Sequence, residues 1–534
     1  MSTRVAHYAA VCAAAAVLGS CGGGGSSPAP SPTPPPSSTA TLDVTLSQAS
    51  ADVTVEEGGS ATFGFDATYT GSSSDPVVAD VTVGGTRYAL DGTPGASGKT
   101  FTVNFATVPF PAGGLTTSTV TFRLCKTASC TTVYPGSTKT FTVNLDVAVK
   151  DWAGFQRNIA HTGYVPVRYD PSAFKRAWAW TDTNPVSWIR PPAATRGRIL
   201  TTVGRDGGMA YDQNAIVYAF GANGEVDWSY DLGEQFEMSG PSISNGLVHV
   251  TSGGSAGDNP QWVFDLSKGT FVNQMKFASQ WNAYNQPAAD GNQVFVAAGY
   301  VGEKIYAYDA LRGTTLWEKE RAGGTWADGK AVAVDANYVY YPAGVALDVI
   351  DRRNGVTIKS IADPETSAGG VSEFASAPVL GSDGMVYLFA GYKAFLSSAK
   401  IIAVSTTENR VLWRSNAEYA TAFALAGDTI YAVRNDAHVL VALNAKTGVQ
   451  KWATPLPVDE GLYGERVFHG NVVVTENLAF VSDHDTTWAV DLKDPNHPIV
   501  WEGASGGRLI ITPDNQLVTT GVRENRVLTV YDLF

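Results

Sequence analysis

The chain has 534 residues, enough for two or three domains with cores of their own. Its 55 glycines and 27 prolines follow no strict period, which excludes collagen and favours many tight turns, and with 11% aromatic against 16% charged residues most of it can bury surface. The formal charge of −13, with no long Lys/Arg run, excludes the electrostatic footprint of a nucleic-acid or anionic-lipid binder.

Residues 1–20 read as an address. Arg4 supplies a positive start, Tyr8 to Leu18 is apolar but too short to span a bilayer, and Leu18-Gly19-Ser20-Cys21 has the form of a lipobox. The segment resembles a bacterial lipoprotein signal, which implies cleavage before Cys21 and lipid on that residue; a plain secretory signal with an incidental cysteine is the alternative. Position 22 is Gly22, not the Asp that retains such proteins at the inner membrane, so the outer membrane is the expected destination, on its periplasmic face or at the cell surface. Residues 21–40, nearly all Gly, Ser and Pro, bury nothing and serve as a linker.

Residues 41–149 alternate short strand-like runs with turn clusters. Thr45 to Val55, Ala61 to Tyr69, Val77 to Val83, Phe101 to Val108, Thr119 to Leu124 and Thr138 to Val147 are the expected strands, and nothing between them has helical spacing. A β-sandwich of immunoglobulin-like architecture is predicted. Cys125 and Cys130, in an exported protein, read as a disulfide closing a small loop at a hairpin tip. No His or second Cys pair stands nearby to make a zinc site.

Residues 150–534 carry a repeat. Ala307-Tyr308-Asp309-Ala310-Leu311-Arg312-Gly313-Thr314-Thr315-Leu316-Trp317 aligns with Ala442-Leu443-Asn444-Ala445-Lys446-Thr447-Gly448-Val449-Gln450-Lys451-Trp452 at its small, polar, Gly and Trp positions. Ala403, Ser405, Asn409 and Trp413 fit the same frame. So do Val263, Asp265 and Gly269 with Asn273 in the Trp position, and Val349, Asp351 and Gly355 with Lys359 there. Ala219, Gly221, Gly224 and Trp228 fit with one residue deleted, and Ala489, Asp491 and Trp501 with two inserted. The small and polar residues lie two apart on one face of a strand, the polar side chain bonds into the turn, Gly supplies a positive φ, and Trp packs on a neighbouring unit. Repeats of this size are four-stranded propeller blades. Asp532 opens an eighth unit that stops before its Trp strand, and Lys175 to Trp180 supplies a candidate for that strand. The prediction is an all-β chain: an eight-bladed propeller closed by its two ends behind the sandwich.

This small-x-Asp-x-x-x-Gly-x-x-x-Trp unit, together with the segment Asp151-Trp152-Ala153-Gly154-Phe155-Gln156-Arg157-Asn158-Ile159-Ala160-His161-Thr162-Gly163, resembles the propellers of the pyrroloquinoline-quinone (PQQ) type. That family includes quinoprotein dehydrogenases and cofactor-free relatives, notably the propeller lipoprotein of the outer-membrane β-barrel assembly machinery. The resemblance implies, for an alcohol-oxidising member, an adjacent Cys pair over the quinone, calcium ligands and a catalytic Asp; the propeller here has no cysteine. Sugar-oxidising members bind the quinone without that pair, so a periplasmic oxidoreductase using PQQ with calcium stays as the alternative. The leading expectation is a non-catalytic envelope scaffold without a cofactor, binding an envelope protein, a peptide or a glycan; a surface glycan binder is the third reading.

Other catalytic signals fail on context. Gly253-Gly254-Ser255-Ala256-Gly257 and Gly503-Ala504-Ser505-Gly506-Gly507 match Gly-x-Ser-x-Gly, and 324–330 resembles a phosphate loop, yet no helix pattern follows any of them. Asp483-His484-Asp485 could lend two carboxylates to a metal or form a solvated turn beside Trp488. A stronger pattern sits after each Trp strand, where an aromatic neighbours a charge: Trp188 and Arg190, Phe236 and Glu237, Trp326 and Asp328, Glu373 and Phe374, Glu418 and Tyr419, Tyr463 with Glu465 and Arg466. Trp281 and Tyr284 occupy the same place without a charge. These positions are expected on one face as a binding rim, or else as the top layer of packing between blades.

Overall fold

The structure, a computed structural model, describes residues 40–184, 186–206, 212–235, 237–253, 259–278, 286–298, 304–320, 331–343, 346–365, 377–390, 399–419, 421–434, 436–457, 470–521 and 526–534. In the first hundred of these, alternating Val, Thr and Phe set one row of side chains inward. Nine strands result: β1 (Asp43–Leu46), β2 (Ser50–Glu56), β3 (Thr62–Thr70), β4 (Val78–Val83), β5 (Tyr88–Leu90), β6 (Gly95–Ser97), β7 (Thr100–Thr107), β8 (Gly114–Cys125) and β9 (Lys139–Ala148). One sheet has the order β1-β3-β7-β5 with β6 added to β7; the other is β2-β9-β8-β4. Phe65 of the first touches Phe122 and Phe141 of the second, all three buried.

The expected single run from Thr45 to Val55 is in fact two strands in different sheets: β1 pairs antiparallel with β3, and β2 parallel with β9. Ser47 causes the break, because its N–H donates to the Asp66 carbonyl while its hydroxyl accepts from the Asp66 N–H, tying the chain to β3 before it crosses. Cys125 and Cys130 are bonded, and the Lys126 N–H donates to the Thr132 carbonyl, so the bridge closes the tip between β8 and β9.

Eight further sheets follow among the described residues, at 187–231, 237–277, 288–320, 333–362, 379–419, 424–455, 473–503 and 508–532. The third is typical: Ala288–Asp290, Gln293–Ala297, Lys304–Asp309 and Thr314–Glu320 pair antiparallel in that order. Such an order puts the first and third turns of every sheet at one end, here the turn end. The second connection and the link to the next sheet leave from the other, the connection end. The chain is all-β, and among the described residues no helix is long and apolar enough to cross a membrane.

The repeat locks sheet to sheet. Asp309 accepts at Oδ1 from the N–H groups of Leu311 and Arg312, which holds the turn that Gly313 completes at φ 65°. Each indole lies against the turn glycine of the next sheet and donates from Nε1 to a carbonyl there: Trp178 to Ala222, Trp228 to Leu266, Trp317 to Arg352 and Trp413 to Ala445, at 2.8–3.0 Å. Where the Trp is replaced the bond survives, since Asn273 Nδ2 donates to the Ala310 and Leu311 carbonyls and Lys359 Nζ to that of Thr406. Trp452 meets a turn without glycine and stacks on His497, which stands at φ 46°, with ring centroids 4.0 Å apart. The strand Lys175–Thr181 pairs antiparallel with Val527–Asp532, Trp178 opposite Val530, and is the outer strand of the eighth sheet.

Candidate binding face

In all but the seventh sheet, where Tyr164–Val165 pairs parallel with Val473–Thr475, the inner strand has one edge with no strand beside it in its own sheet among the described residues, and buried backbone N–H groups there would be costly. Residues 152–163 answer them in turn. Trp152 and Ala194 exchange two backbone bonds of 2.9 Å; then Ile243 donates to Ala153, Val334 to Ile159, Leu380 to Ala160, Leu425 to Thr162 and Val474 to Gly163, at 2.7–2.9 Å. Six of the eight sheets are therefore tied to one segment. It bends sharply to reach them, with Gln156, Arg157, His161 and Gly163 all at positive φ. Side chains reinforce it: Gln156 Nε2 donates to the Phe423 carbonyl, Asn471 Nδ2 donates to Gln156 Oε1, and His161 Nδ1 lies 2.9 Å from the Pro378 carbonyl. A carbonyl only accepts, so that nitrogen carries the ring proton. Burial pushes the His161 pKa down to about 4, against the opposing pull of that bond.

The sandwich docks beside this segment. Arg157 donates to both Glu57 carboxylate oxygens and to the Tyr164 carbonyl, the Lys150 N–H donates to Glu57 at 2.9 Å, and both charged side chains are buried. Arg196 reaches Asp146 at 3.2 Å, and Tyr169 donates to Asn515 at 2.9 Å beside Gly113 and Gly114. Arg196 and Asn515 belong to first turns of the first and eighth sheets. These contacts therefore fall at the turn end.

At the connection end the structure describes part of the aromatic and charged rim. Trp188 is exposed on Ser187–Ile189 and Arg190 is half-buried, its N–H donating to the Thr202 carbonyl. The backbone of Glu237 forms the short strand Glu237–Met238, and Glu418 is half-buried in Arg410–Tyr419. Tyr419 corrects the expectation of an exposed platform: it is buried with Phe389 and Phe423, in the packing between the fifth and sixth sheets. Phe236, Trp281, Tyr284, Trp326, Asp328, Glu373, Phe374, Tyr463, Glu465 and Arg466 lie outside the described residues, as do 254–258 and 324–330. Asp483 accepts from the Asp485 and Thr486 N–H groups, so that segment is a turn, with Asp483 buried. Ser505 is buried against Thr519 at 2.8 Å with no helix after it.

Two arginines at this end form ion pairs that had no sequence signal, because the partners are distant in the chain. Arg205 grips Asp182 through Nε and Nη2 at 3.0 and 2.8 Å. Burial raises the Asp182 carboxyl, but the bonds and charge of Arg205 outweigh it and hold the group below the usual carboxylate range. Arg414 likewise joins Asp363 and Glu365 across adjacent sheets.

A family model described as outer membrane protein assembly factor BamB matches residues 162–454. No curated protein matches the chain. Among similar solved structures are AztD of Citrobacter koseri (14% identity over 62% of this chain and 87% of that one, TM-score 0.36) and Hsv2 of Kluyveromyces lactis (10%, 54% and 89%, 0.34). The Cps50 (Swd1) β-propeller domain of Myceliophteria thermophila is another, at 8% identity over 68% of this chain and all of that one, with a TM-score of 0.34.

Proposed function

Because the chain belongs to the family of the outer membrane protein assembly factor BamB, with its PQQ-like propeller repeats, we propose that it is a non-catalytic cell-envelope scaffold gripping a partner protein at the connection end. In this reading the eight sheets form a closed eight-bladed ring. The shared sheet of Lys175–Thr181 and Val527–Asp532 supports it. The sandwich is immunoglobulin-like, which the crossing first strand and the parallel β2-β9 pair support. Cys21 bears lipid and tethers the molecule to the outer membrane through the linker.

The observation that carries the proposal is the occupation of the turn end by residues 152–163 and the sandwich. A tether entering through the sandwich then leaves the connection end turned away from its anchor. The absence of cysteine from residues 150–534 removes the adjacent pair over the quinone, so the residues do not fit the disulfide-bearing quinone site. The lipid-free protein should capture a partner from envelope extracts, and Ala at Trp281, Trp326 or Glu465 should weaken capture while leaving the melting temperature nearly unchanged. A bound-quinone absorbance band with dye-linked sugar or alcohol oxidation, after adding PQQ and calcium, would replace this reading with the oxidoreductase one.

A further inference from the structure

The fold already meets the inner edges of its sheets with a further stretch of backbone, as residues 152–163 do in six of them through single backbone bonds or, at Trp152 and Ala194, an exchanged pair. In the first sheet that inner edge continues past Pro191 and Pro192 toward the connection end as Ser187–Ile189. Ser187 stands opposite Arg205, Trp188 opposite Gly204 and Ile189 opposite Val203; among the described residues no strand pairs with the other side. The Arg190 N–H points to Thr202, so by two-residue alternation the N–H of Trp188 points the same way, and those of Ser187 and Ile189 point to the unpaired side. Ser187 and Ile189 turn their side chains inward, whereas Trp188 is 45% exposed, the only Trp among the exposed large apolar side chains of the described residues. The strand behind is fixed by Arg205, bonded to Asp182 and to the Tyr218 hydroxyl.

Resting on the scaffold reading, we infer that Ser187–Ile189 is a strand-addition site for an extended segment of the partner protein. Backbone bonds to the Ser187 and Ile189 edge supply affinity, and an apolar side chain set against Trp188 supplies selectivity. The formal charge of −13 favours a segment whose intervening residues are basic.

A fluorescein-labelled octapeptide of alternating Val and Lys is the probe, titrated into the lipid-free protein by anisotropy. Saturable binding is expected, with slowed hydrogen exchange at the Ser187 and Ile189 amides. Trp188→Ala should weaken binding about tenfold and Trp188→Phe should restore most of it. N-methylating one alternate set of peptide amides should abolish binding, while methylating the other set should leave it nearly unchanged. Equal effects of the two sets, an unchanged affinity for Trp188→Ala, or no saturable binding overturns strand addition. If envelope capture persists in Trp188→Ala while the peptide does not bind, the scaffold reading stands without this site; if the unaltered protein captures nothing, the scaffold reading falls first.

Discussion

Gly355 has its backbone at φ 73°, and a Cβ there would sit 2.7 Å from the Trp317 ring. Gly355→Ala therefore meets both a left-handed penalty and overpacking, and is expected to cost about 2–4 kcal/mol. Trp317→Phe keeps the ring contact and strips the donor from the Arg352 carbonyl, for about 1–2 kcal/mol. Urea denaturation of the two variants checks the order, and a larger loss from Trp317→Phe would show that the bond outweighs the close approach. Asn273 and Lys359 look like decayed units in sequence because identity is all a sequence displays. What the lock needs is a donor of the right reach, which both supply. His161 adds a pH dependence. Its folded pKa of about 4 lies below the unfolded value near 6.5, so the unfolded chain binds the extra proton first as pH falls. Stability should be full above about pH 6.5 and decline toward pH 4, by on the order of 3 kcal/mol from this group. Melting curves across that range should show His161→Gln less acid-sensitive than the unaltered protein; an equal slope would remove His161 as the cause.

Residues 152–163 act as one element although they form no regular strand. Their motif was legible in the sequence, but their bonding to six sheets was not, since backbone-to-backbone bonds leave no mark on side-chain identity. The crossing between β1 and β2 escaped for a related reason: period-two alternation continues through Ser47, and only its bonds to Asp66 end the first strand. Arg157 couples this element to the sandwich. Removing the charge of one partner in a buried pair leaves the other uncompensated, so Glu57→Gln is expected to destabilise the whole protein by about 3–5 kcal/mol, whereas the apolar double variant Glu57→Leu with Arg157→Met should recover much of that loss. A double-mutant cycle of Glu57→Leu, Arg157→Met and their combination, read by thermal melts, tests this. Additive losses would mean the two side chains act independently and the sandwich is not held through them.

Over the whole molecule, the sequence repeat was readable because enough units spell out the same turn and Trp lock for the others to be aligned on them. The connection end was readable only as a pattern of aromatic and charged residues, and Tyr419 shows why that pattern misleads: an aromatic after the Trp strand serves inter-sheet packing as readily as a surface. In the proposed eight-bladed ring, closure is the feature on which a shared face depends. Val527–Asp532 is paired on both sides, with Gln516–Thr520 and with Lys175–Thr181, so it joins the last sheet to a strand that precedes the first. Deleting 527–534 would expose both of those edges at once and remove the buried Leu528, Val530 and Tyr531. The expected result is loss of the cooperatively folded species, with material eluting as soluble aggregates in size-exclusion chromatography. A cooperative melt without aggregation from the 527–534 deletion would mean that each sheet stands without the pairing of Lys175–Thr181 with Val527–Asp532, and that the proposed ring does not depend on it.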